Sequence, residues 1–219
     1  AYEQKMFMKR ETIANKGIWT AKKRYILNAW DIEGVRFEKP KLKMMGIEAV
    51  KSSTPGACRT KIKEALEIMM SGTEDDLQKF VSNFRQQFEK MPLEDIAFPR
   101  GCNNIAKNSS PHSIYGKSCP IHVRGALLYN HYVKKHKLTH KFPLIQEGEK
   151  IKFLYLRKPN RINENVISFF QTLPQEFGLD KQVDYELQFQ KSFLDPLKAI
   201  LDTMGWHHEP QATLEFLFG

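Results

Sequence analysis

SSTPGACRTKIKEALEIMMSG, Ser52 to Gly72, is where the texture of this chain changes. Thr54 suits a helix N-cap, because its hydroxyl can accept from an orphan N–H, and Pro55 suits the first helical position, because its φ is already fixed there. Behind them Cys58, Ile62, Ala65, Leu66, Met69 and Met70 recur at helical spacing until Ser71-Gly72 stops the run. Thr73 then caps a second helix. Glu74, Asp75 and Asp76 favour its positive end, and Leu77, Phe80, Val81, Phe84 and Phe88 form its apolar stripe. The prediction is a helical hairpin.

Upstream the text reads as strands and tight turns. Lys5–Thr12 alternates weakly, Asn15–Gly17 is a turn signal, and Arg24–Asp31 and Val35–Phe37 flank a hairpin turn at Ile32-Glu33-Gly34. Leu42–Met45 adds a further short strand. Downstream, residues 91–118 are rich in loop signals. A third helix is predicted from Pro120 to Lys135, short strands at Ile151–Leu156 and Val166–Phe170, and a long helix from Tyr185 to Met204 that Pro196 should bend and Gly205 should end. The class is therefore α+β.

With 41% hydrophobic and 27% charged residues over 219 positions, the chain has material for a real core. Its cysteines, Cys58, Cys102 and Cys119, form neither a disulfide framework nor a CxxC zinc pattern, which points to a reducing compartment. No apolar run approaches the roughly 18 residues of a membrane helix and no signal peptide opens the sequence, so no membrane partner is expected. The net charge of +9 is unevenly spread: residues 1–51 carry +6, residues 52–98 carry −2, residues 99–161 carry +11 and residues 162–219 carry −6. Two basic blocks around an acidic helical region predict a polyanion held from two sides. Lys22, Lys23 and Arg24 are three cations in succession at the head of a strand. Their mutual repulsion becomes favourable against a backbone carrying one charge per ~1.7 Å of duplex.

The run from Lys16 to Pro55, KGIWTAKKRYILNAWDIEGVRFEKPKLKMMGIEAVKSSTP, closely resembles the end of the palm and the start of the thumb in family B DNA polymerases of T-even-type bacteriophages. The Lys-Lys-Arg-Tyr motif falls on Lys22 to Tyr25, the Leu-Lys-x-Met-Gly motif on Leu42 to Gly46, and the Ser-Ser-Thr-Pro junction on Ser52 to Pro55. Cys119 to Gly125, Gln190 to Phe193 with Pro196-Leu197, and the terminal Ala212 to Gly219 continue the likeness in order, so it covers nearly the whole chain.

The resemblance implies a small antiparallel β palm remnant at 1–51, a mostly helical thumb at 52–210 with a β insertion near 145–170, and a tail at 211–219. Without its palm partners the sheet is expected to pack loosely. The resemblance also implies roles. Lys22, Lys23 and Tyr25, with Arg24, would hold the primer strand of primer–template duplex. Ser52, Ser53 and Thr54 are candidate phosphate donors, capping alone being the competing role for Thr54. His122 and Arg124 would face the duplex, against the ordinary reading of His122 as a half-buried histidine. Contacts should favour phosphates and the degenerate minor-groove edge.

Leu214, Phe216, Leu217 and Phe218 would anchor the tail in the sliding clamp; a tail folded on its own core is the alternative. The metal-binding aspartates of such polymerases stand in an Asp-Thr-Asp turn and a Ser-Leu-Tyr-Pro segment, and neither pattern occurs here. This stretch is therefore expected to hold no cofactor; Mg²⁺ would sit on the remaining polymerase domains (exonuclease, palm and fingers). His131, His136 and His140 are crowded by lysines, which disfavours a metal. The expectation is a DNA-holding part of a replicative polymerase, acting in the cytoplasm of an infected bacterium. The alternatives are the second subunit of a split polymerase, or a stand-alone binding or regulatory protein.

Overall fold

The computed structural model describes residues 7–211. They form two small three-stranded antiparallel sheets joined by helices, and contacts divide them into two compact units. One unit gathers residues 7–51 with Ile62–Ser82 and residues 196–211. The other comprises Ser52–Lys61 and Asn83–Asp195.

The first unit carries a meander, β1 (Thr12–Ala21), β2 (Arg24–Ile32) and β3 (Val35–Met45). Glu33 and Gly34 both have positive φ, 56° and 90°, the geometry that matches a tight turn to strand twist, and the Gly34 N–H donates to Asp31 at 2.8 Å. The expected turn at Asn15–Gly17 is instead strand. Ala14 pairs with Ala29 and Lys16 with Asn28, so Asn15 is left over as a bulge, and its side-chain oxygen accepts from Asn28 across the ladder at 3.0 Å. Nor does Val35–Phe37 end a strand. The ladder breaks around Pro40, which cannot donate, and resumes at Lys41. The sheet is also less loose than expected: Ile18, Ile26 and Ala29 are buried, and the Lys16 ammonium donates to the Met69 and Met70 carbonyls at 2.9 and 3.3 Å. A cation there satisfies orphan carbonyls at a helix end.

Those carbonyls belong to α1 (Gly56–Ser71), which starts one residue later than expected. Its first bond runs from the Arg59 N–H to the Pro55 carbonyl at 2.9 Å, so Pro55 occupies the cap position and Thr54 lies just outside, buried. In α2 (Glu74–Phe88) the cap is as expected. The Thr73 hydroxyl accepts from the Asp76 N–H at 3.3 Å, and the Asp76 carboxylate accepts from the Thr73 N–H at 3.0 Å, a reciprocal box with Asp in place of Glu.

In the second unit, α3 (Leu93–Ile96) leads into β4 (Phe98–Gly101), which pairs with β5 (Lys150–Tyr155), and β5 pairs with β6 (Val166–Phe169). α4 (Ile121–Lys135) lies against β6. Gly125 makes this possible: a Cβ there would stand 2.9 Å from the Ser168 nitrogen. The Ser168 hydroxyl donates to the His122 carbonyl at 2.8 Å, closing the contact. Phe84, Phe88, Phe189 and Phe193 form an aromatic cluster with centroids 4.8 to 5.8 Å apart.

The last helix, expected to run unbroken with a bend at Pro196, is interrupted before the proline. α5 (Tyr185–Phe189) passes through a π turn, Gln190–Leu194, into α6 (Asp195–Met204). The wider turn absorbs the hydrogen bond that Pro196 cannot make. Gly205, at φ 69°, ends α6, and the Trp206 N–H donates back to the Leu201 carbonyl at 3.0 Å.

Candidate nucleic-acid interface

Lys22 and Lys23 do not head a strand; they form the turn joining β1 to β2, with Lys23 at φ 61°. Both are exposed, and among the described residues neither has an acidic partner. The third cation is occupied. The Arg24 guanidinium donates to both oxygens of Glu48, at 3.2 and 2.7 Å, and more weakly to the Pro196 carbonyl at 3.5 Å. The hairpin tip therefore presents two uncompensated charges, while Arg24 braces its base. Tyr25 is half-buried between Trp19 and Met45 in the ladder. Gly46, at φ 68°, fills the space beside the tip: a Cβ there would collide with the Lys23 carbonyl.

In the second unit the Ser53 carbonyl accepts from Arg100 Nη1 at 2.5 Å, so Arg100 pins the loop that enters α1. Ser52 is exposed, Ser53 half-buried, and Thr54 is 4% exposed, which turns its hydroxyl away from solvent. His122 is half-buried, 6.2 Å from the Phe153 ring. Burial pushes its pKa down from the usual 6.5, the Arg100 charge pushes it further, and a hydrogen bond with the Gly101 backbone opposes them. His122 is accordingly neutral at pH 7. Arg124 donates from Nη2 to Asn165 at 2.8 Å, and its Nε is buried with no acceptor. Exposed cations gather instead at Lys134, Lys135 and Lys137 at the end of α4, and at Arg157, Lys158 and Arg161 after β5.

No family model matches the sequence. The DNA-directed DNA polymerase of Enterobacteria phage T4 is 34% identical to it over 229 residues, spanning 99% of this chain and 25% of that protein. The corresponding enzyme of Escherichia phage RB69 is 36% identical over 225 residues, spanning 97% and 24%. This chain is homologous to phage DNA polymerases. It spans about a quarter of the length of these relatives, and the resemblance to phage DNA polymerases read from the sequence is borne out.

Among the described residues no three His, Cys, Asp or Glu side chains cluster as metal ligands would, and Asp202 stands exposed on α6. Leu214, Phe216, Leu217 and Phe218 lie outside the described residues. Sequence reasoning missed two supporting residues of this homologue. Arg100 had a signal, as the first cation of the +11 block between Pro99 and Gly101. Gly46 had only its place in the Leu42–Gly46 motif, because its partner lies 23 positions earlier.

Proposed function

We propose that this chain is a non-catalytic part of a replicative DNA polymerase that holds primer–template duplex by its phosphates, irrespective of sequence. Residues 1–51 act as the end of a palm, 52–210 as a thumb, and 211–219 as a peptide that docks on a sliding clamp. The remaining polymerase domains supply the metal-binding carboxylates. What supports the reading is the Lys22–Lys23 tip: two exposed cations without acidic partners, buttressed by Gly46 and by the Arg24–Glu48 pair, in a homologue of phage DNA polymerases. Arg24 acts as a brace, and Ser52 and Ser53 are better placed than Thr54 to meet a phosphate. Lysine is a mobile point charge, suited to a backbone whose register changes with every nucleotide copied.

Lys22→Ala and Lys23→Ala should each weaken duplex binding evenly across sequences and make the slope of log K against log salt shallower by about 0.9. Fluorescence anisotropy of labelled primer–template between low and moderate salt measures it. Slopes equal to wild type would remove both lysines from the phosphate contacts.

A further inference from the structure

The two faces of the sheet β1–β3 are unequally covered. Side chains alternate across a strand, so Ile18 and Ile26, buried and paired, define the covered side. The alternate positions fall on the other, where Gly17 pairs with Leu27 and Leu27 with Lys43, and Trp19 pairs with Tyr25 and Tyr25 with Met45; there Ala29 is buried and Tyr25, Leu27 and Lys43 are half-buried. On that side Trp19 is 60% exposed. Its ring is nevertheless held. It lies over Gly17, where a Cβ would stand 2.5 and 2.6 Å from two ring carbons, and its centroid is 6.3 Å from that of Tyr25. A glycine in mid-strand weakens the ladder, and here it makes room for an indole that stays in water. Three residues on, the turn presents the unpaired cations Lys22 and Lys23.

We propose that the Trp19 indole packs against deoxyribose of the strand whose phosphates meet Lys22 and Lys23, giving this surface a preference for DNA over RNA. The inference rests on the duplex-holding role proposed above. Phosphate and sugar alternate along a strand, so free cations beside a flat apolar ring match the backbone without touching a base edge. A ribose carries its 2′-hydroxyl in the minor groove, and against indole that hydroxyl is desolvated without a partner. Lys22 and Lys23, exposed and without acidic partners at the end of this sheet, supply the charge complementarity that favours nucleic acid as the occupant beside Trp19.

The test uses the 219-residue chain with Trp30→Phe and Trp206→Phe, which leaves Trp19 as the sole indole. Primer–template DNA, and the same duplex with an RNA primer, are titrated by anisotropy while Trp19 emission is recorded. Emission should change as the DNA saturates. Trp19→Ala should lower DNA affinity about tenfold, the order expected of an aromatic interface anchor. It should weaken the RNA-primed duplex less and leave the salt slope and melting temperature unaltered. Unchanged emission at saturation, or equal loss on both duplexes, overturns the inference. If the lysine variants meanwhile shift the salt slope, the duplex-holding role stands and only the sugar contact falls; if they do not, the role itself falls.

Discussion

Beside Phe153 and Arg100, His122 gives up the charge that its place in the +11 block would lend it. The folded state holds its pKa below 6.5 whereas the unfolded chain titrates near 6.5, so below that pH the unfolded state binds a proton that the folded state resists. Stability from this group is present above pH 6.5 and is lost as the pH falls through the window beneath. Melting temperatures of wild type and His122→Asn, followed from pH 8 to pH 5, should converge on acidification. A constant gap would mean that His122 titrates normally in the fold. A His122 held from protonation adds no positive charge, which leaves that of the second unit to its lysines and arginines. Gly46 carries the opposite lesson, because a residue without a side chain decides how a pair of lysines is presented.

Among the elements, α4 depends most on one atom that is missing. Gly125→Ala would drive a methyl group into Ser168 and the Ile167 backbone, where the neighbouring main-chain atoms cannot swing aside. Overpacking of this kind costs about 1–3 kcal/mol, and chemical denaturation should show that loss in the midpoint with little change in slope. Wild-type stability would mean that α4 can lift from β6 freely. The long helices were legible in the sequence because each carries its own evidence: the Thr73 cap, the Leu77 to Phe88 stripe and the Gly205 stop are all local, whereas the one-turn α3 fell inside a stretch read as loop. β4 was not legible. Its four residues include Pro99 and Gly101, poor strand formers, and they are extended because β5 pairs with them about 50 positions later. The π turn before Pro196 was half legible, since proline announces a break but not which geometry will absorb it. At the candidate site, adjacent lysines could be read directly. That Arg24 would turn to Glu48, leaving two charges at the tip instead of three, depends on a contact 24 residues away.

Over the whole molecule the charge runs from +6 through −2 and +11 to −6, so on the proposed role the last quarter would repel the polyanion that the basic blocks attract. For the proposed tail role, Leu214, Phe216, Leu217 and Phe218 supply aromatic and aliphatic side chains of the kind that anchor in a protein pocket, and Glu215 among them would disfavour a polyanion. The clamp-docking role proposed for residues 211–219 therefore separates from the DNA-holding role in its response to salt. Phe218→Ala should weaken binding to a phage sliding clamp by about 2–4 kcal/mol if Phe218 is an anchor, while duplex affinity, its salt slope and the melting temperature stay at wild-type values. Calorimetric titration of the clamp at two salt concentrations, beside thermal melts of both proteins, checks all three. A lowered melting temperature with unchanged clamp affinity would assign Phe218 to the protein's own core, because burial of a large aromatic is the other way such a side chain stabilises a fold.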